Sequence, residues 1–158
     1  IRTVRFTNGV MLNLKRTDLE QDRVRVSLVL DGGSMLDTRA APLGTALTAL
    51  FAAGGLGKHS LDELQTMLAG RSVGASLASD EDSFRFSATT TPRDLELQLQ
   101  LLTAYMTDPG YRPEAVTRYR NGLDDYFARI EATPRSVLSV REGEILSDAD
   151  PRFSLQPR

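Results

Sequence analysis

Val24-Arg25-Val26-Ser27-Leu28-Val29-Leu30, followed by Asp31-Gly32-Gly33-Ser34, is the stretch on which the fold turns. Val24, Val26, Leu28 and Leu30 fall on one side of an extended chain, with Arg25, Ser27 and Val29 on the other. That period of two marks a strand with one face in a core. Asp-Gly-Gly-Ser ends it, because glycine enters the positive-φ conformations of a tight turn without a Cβ clash. Beyond the turn the period changes. Leu43, Leu47, Leu50 and Phe51 recur at helical spacing beside Ala46, Ala49 and Ala53, and Gly54-Gly55 stops the predicted helix.

Upstream, Val4 and Phe6, then Val10, Leu12 and Leu14, alternate around Asn8-Gly9, a hairpin signal. Downstream, Ser60 and Glu63 form a capping box for a helix carrying Leu61, Leu64 and Leu68. Two strands follow: Val73, Ala75 and Leu77, then Phe84, Phe86 and Ala88, joined by Asp80-Glu81-Asp82. Thr91-Pro92-Arg93-Asp94 predicts a helix start with proline at its first position. That helix is apolar on two faces, Leu95/Leu99/Leu102/Met106 and Leu97/Leu101/Tyr105, and so is expected to be largely buried. Pro113 opens a longer helix with a stripe from Val116 to Ile130, and Thr133-Pro134 opens a last one. Three strands, two helices, two strands and three helices predict an α+β domain: a mostly antiparallel sheet of about five strands flanked by helices.

The 158 residues are enough for one domain with its own core. A net charge of −2 argues against a dedicated nucleic-acid binder. No apolar run approaches the roughly 18 residues that span a bilayer. The absence of cysteine excludes disulfides, thiol nucleophiles and cysteine metal sites, and fits periplasm and cytoplasm equally. Ile1 and the loop-like Gln156-Pro157-Arg158 are read as the ends of a piece of a longer chain, 1–158 forming a single domain of it.

Chemistry-bearing residues are sparse. His59 is the sole histidine, whereas zinc takes three or four ligands from His, Cys and carboxylates. A Ser-His-Asp arrangement would have to use His59, but neighbouring Ser60 reads as a helix cap and no nucleophile elbow is present. Asp80-Glu81-Asp82 lacks the spacing of a calcium loop and reads as a solvated tip. Gly54-Gly55-Leu56-Gly57-Lys58 lacks phosphate-loop spacing and follows a predicted helix, so its glycines are expected to make a helix stop and a tight connection. Arg112, Arg118, Arg120 and Arg129 lie among acidic residues and read as a salt-bridged surface.

Several stretches in order resemble the pitrilysin/insulinase-type zinc metallopeptidases, in particular the inactive repeat of that family. They are Thr7-Asn8-Gly9-Val10-Met11-Leu12, Asp31-Gly32-Gly33-Ser34, Leu43-Gly44-Thr45-Ala46, Gly55-Leu56-Gly57-Lys58-His59-Ser60, Phe84-Arg85-Phe86-Ser87-Ala88 and Asp108-Pro109-Gly110-Tyr111. The resemblance implies a sheet flanked by helices, paired with a second such half around a peptide chamber. In catalytic repeats H-x-x-E-H on the first core helix binds zinc and activates water. The corresponding slots here are Leu47, Leu50 and Phe51, which have no lone pair to give a metal.

The resemblance therefore implies a non-catalytic half, with no catalytic or metal residues and no cofactor of its own. The parent protein is expected to be a zinc metalloendopeptidase, with zinc in the partner catalytic half of the same or a neighbouring chain. The family's substrate-pairing edge would fall on Val73, Gly74, Ala75, Ser76 and Leu77. Expected partners are that catalytic half and a peptide, not nucleic acid or membrane, and the isolated chain could pair with itself. The alternative is a stand-alone structural or interaction module of the same fold.

Overall fold

A computed structural model describes residues 1–154; Gln156-Pro157-Arg158 lies outside them. The strands are β1 (Arg2–Arg5), β2 (Met11–Leu14), β3 (Val24–Asp31), β4 (Ser76–Ser79) and β5 (Ser83–Thr90). The helices are α1 (Leu61–Met67), α2 (Leu95–Thr107), α3 (Pro113–Asn121), α4 (Leu123–Glu131) and α5 (Pro134–Leu146). All strand pairs are antiparallel, and the α+β expectation is met. The five strands do not form one sheet, however. β1 and β2 make a separate hairpin, and the other three order as β3-β5-β4.

The hairpin turns at Asn8-Gly9, where Gly9 takes φ 89° and the Asn8 side chain accepts from the Val10 N–H. All its strand residues except Val4 are exposed, Met11 and Leu14 among them. In the larger sheet β3 buries alternate residues, as its sequence predicts. Leu28, Phe86 and Leu77 lie side by side in register across the three strands. With Leu64, Leu101, Leu102 and Tyr105 they form the core.

Two turn signatures lock onto each other. Ser34 and Met35 N–H groups donate to the Asp80 and Glu81 carbonyls, both at 2.9 Å. Gly33 has φ 83°, and a Cβ there would stand 2.5 Å from the Asp80 carbonyl oxygen. Asp80-Glu81-Asp82 is a hairpin tip whose carbonyls are used by the Gly32–Met35 turn.

The helix expected from Leu43 to Ala53 is replaced by two short 3₁₀ segments, Ala46–Leu50 and Ala52–Gly54. Their bonds run three residues back, from Thr48 to Thr45, Phe51 to Thr48 and Gly54 to Phe51. The Thr48 hydroxyl also donates to the Thr45 carbonyl. An acceptor used by both the backbone and a hydroxyl favours the tighter turn over an α-helix. The long helix expected from Pro113 breaks into α3 and α4 at Gly122, a residue that weakens helix interiors. α2 starts at Leu95, three residues after Pro92, and buries one face only: Leu99 and Met106 remain 49% and 46% exposed.

The capping box at Ser60 and Glu63 forms as expected, and the Ser60 N–H holds the Glu63 carboxyl below its ordinary pKa. The accessible surface is 11778 Å² for 17.4 kDa. A compact monomer of that mass exposes roughly 7,900 Å², about a third less. Large apolar side chains are among the exposed residues: Leu138, Ile145 and Leu146 on α5 are all more than 60% exposed.

Candidate functional site

The slots Leu47, Leu50 and Phe51 stand on or beside the first 3₁₀ segment. Three residues per turn stack Leu47 under Leu50 and rotate Phe51 about 120° away, whereas an α-helix would align Leu47 with Phe51. Phe51 is the hub of an aromatic cluster. Its ring lies 5.9 Å from Phe86, 6.2 Å from Tyr105 and 5.7 Å from Tyr111. The Tyr105 hydroxyl donates to the Ala52 carbonyl at 3.1 Å, and burial raises its pKa. Phe51 is thus a packing centre. Among the described residues no three His, Cys, Asp or Glu side chains stand close enough to share a metal ion.

All three slots border an open apolar cavity of about 540 Å³, floored by Leu30, Leu77 and Phe86 of the sheet. Leu77 belongs to the expected substrate-pairing stretch, so the structure brings that residue and the slots together. The remainder of the stretch divides. Val73, Gly74 and Ala75 precede β4 and line a second cavity of about 360 Å³, on the side of Leu64 and Leu101. Ser76 is exposed. β4 is an edge of its sheet, as an added strand would require. At Gly74, though, both backbone groups are taken. Its N–H donates to Gln98 Oε1 at 2.9 Å, and its carbonyl accepts from Gln98 Nε2 at 2.7 Å.

Gln98 is fully buried, and sequence reading missed it. The signal was available: Gln98, Leu101, Leu102 and Tyr105 follow the i, i+3, i+4, i+7 spacing of one helix face, and these four are the buried residues of α2. One turn earlier, buried Asp94 accepts from the Ser72 N–H at 2.8 Å and from Arg71 Nε at 2.7 Å. The Ser72 bond, then Arg71, hold its carboxyl below the ordinary range. The two side chains together tie residues 71–74 to α2, which fixes where β4 begins.

The glycine-rich loop is held by Arg112, which was expected on a salt-bridged surface. Arg112 is instead half-buried at the N-cap of α3. Its guanidinium donates to the carbonyls of Gly54 at 2.9 Å, His59 at 3.1 Å, Gly57 at 3.0 Å and also Leu56. Gly57 N–H donates to the Asp108 carbonyl at 2.8 Å, and Gly110 N–H to the Gly55 carbonyl at 2.9 Å. A Cβ at Gly57 would collide with the Asp108 carboxyl. The glycines thus serve close backbone approach, and no phosphate cradle forms. His59 is half-buried beside this loop.

A further missed anchor is buried Asp37, which accepts from the Thr45 N–H at 2.9 Å and the Thr45 hydroxyl at 2.7 Å. It sets the start of the segment that carries the slots.

No protein-family model matches the sequence, and no curated protein matches it. Among solved structures, the chain is similar to part of the periplasmic protease PqqL from Escherichia coli, with a TM-score of 0.75 at 18% identity. The match covers 98% of this chain and 17% of that one. The chain therefore shares the α+β fold of a segment of a protease about six times the length matched.

Proposed function

We propose that this chain is the non-catalytic half of a zinc metallopeptidase, forming part of the wall of its peptide chamber and an interface with the zinc-bearing half. The observation that carries the reading is the state of Leu47, Leu50 and Phe51. All three border an apolar cavity, and Phe51 is locked among three aromatic rings, so Phe51 serves packing where the resembled family places a ligand. Likeness to a segment of a protease fold and the ordered pitrilysin-like stretches support it. The large exposed apolar surface supports a docking partner, and the catalytic half would bring the zinc, in the same or a neighbouring chain. A peptide would run along the β4 edge at Ser76 and Leu77, with Val73, Gly74 and Ala75 supporting that edge from the core side.

The test has two arms. Calorimetric titration of the metal-stripped chain with zinc is expected to give no stoichiometric tight binding. Mixing the chain with a catalytic half bearing H-x-x-E-H is expected to raise kcat/KM for oligopeptides. Chelator-sensitive peptide hydrolysis by the chain alone would overturn the proposal. Tight association with no change in kcat/KM would favour the structural-module alternative.

A further inference from the structure

β3 forms one edge of the three-stranded sheet, and among the described residues β5 is its only strand neighbour. Exposed edges offer a row of unpaired N–H and C=O groups, and proteins usually blunt them with proline, a bulge or an inward charge. β3 has none of these. Its eight residues pair with β5 in unbroken register, and its inward positions are Val24, Val26, Leu28 and Leu30. On the solvent face it carries Arg25, Ser27, Val29 and Asp31, with Val29 49% exposed. The order of these residues is self-complementary. Laid antiparallel on itself about Leu28, the strand sets Arg25 opposite Asp31, Ser27 opposite Val29 and, on the core face, Val26 opposite Leu30. A shift of two residues one way leaves Asp31 opposite Ser27, and the other way sets it opposite Arg23, which precedes the strand; only the register about Leu28 pairs both charges within β3.

We propose that a second copy of this chain pairs antiparallel along β3, joining two three-stranded sheets into one of six strands. Charge complementarity selects the partner: each copy offers a cation and an anion at the positions where the other needs them, twice per dimer. Asp31 has no ion pair among the described residues, whereas Arg25 already contacts Glu20 at 2.7 Å and would share its guanidinium. The proposal stands apart from the peptidase reading.

Sedimentation equilibrium at low salt, up to roughly 100 µM, is expected to show a concentration-dependent dimer. Asp31→Arg turns two attractive cross-strand pairs into repulsive ones and leaves the Glu20 contact intact. It is expected to weaken the dimer roughly 10- to 30-fold. Adding Arg25→Asp restores opposite charges and is expected to recover most of that loss, with circular dichroism showing each variant folded. Alternate β3 amides are expected to gain exchange protection as concentration rises. A chain that stays monomeric over this range overturns the proposal. So does a dimer indifferent to Asp31→Arg, which would pair through another face.

Discussion

Replacing Gln98 by Leu tests how a buried side chain positions a strand edge. Gln98 is fully buried, and its two hydrogen bonds satisfy both backbone groups of Gly74. Leucine has nearly the same size and keeps the α2 face apolar, so the change removes hydrogen bonds with little loss of packing. A buried backbone group left unpaired costs about 1–3 kcal/mol. Gly74 is half-buried, so water reaches part of the deficit and the lower end applies to each of the two groups. A gain of up to about 1 kcal/mol from burying leucine offsets some of it. The net expectation is a loss of about 1–2 kcal/mol, or roughly 2–8 °C in Tm. Urea unfolding measures it as a lower midpoint at constant slope. Amide exchange should quicken at Gly74 ahead of the remainder of the core. A loss below about 0.5 kcal/mol, or unchanged exchange at Gly74, would refute the claim that Gln98 holds this segment.

Gly33→Ala should destabilise by more than about 2 kcal/mol, since the new Cβ meets backbone at positive φ; Gly70→Ala, at φ 76° in open space, should lose only about 1 kcal/mol, and thermal melts of the pair isolate the clash. Asp94 and Asp150 titrate below their unfolded values, Asp150 chiefly through Arg152, so the stability they contribute is complete above about pH 4 and is lost as pH falls further. The urea midpoint should drop with acid over that range, and less steeply in Asp94→Asn. Grafting Leu47→His, Leu50→Glu and Phe51→His together should yield no tight zinc site by calorimetry, because the 3₁₀ turn separates the first and third positions; it should lower stability by about 3 kcal/mol or more through the lost aromatic hub.

Strands and caps were legible because their causes are local. The β3 alternation, the Asn8-Gly9 turn and the Ser60–Glu63 box each need only residues within reach along the chain. The apolar nature of Leu47, Leu50 and Phe51 was equally plain from their chemistry. The 3₁₀ geometry of their segment was not, since Leu43, Leu47 and Leu50 recur at α-helical spacing, and the Thr48 hydroxyl that competes for the Thr45 carbonyl leaves no trace in that pattern. Nor was the division of the strands into two sheets, because nothing in Val4 to Leu14 says which neighbour its faces will meet. Asp94, Gln98 and Arg112 were missed for a common reason. Each spends its polarity on backbone groups 22 or more residues away, and such partners leave no periodic trace.

Arg112 carries a kinetic consequence. Its acceptors lie 53 to 58 residues back along the chain, whereas the β4–β5 hairpin closes over a few residues. Closing a loop of that length costs about 1.5 kcal/mol more entropy than closing one of ten residues. The staple should therefore form after the hairpin and after α2, on the native side of the folding barrier. Interactions absent from the transition state leave the folding rate alone and govern how fast the fold is lost. Arg112→Met should leave refolding nearly unchanged and hasten unfolding, so this one guanidinium acts as a latch that sets the lifetime of the folded state, not the speed of reaching it.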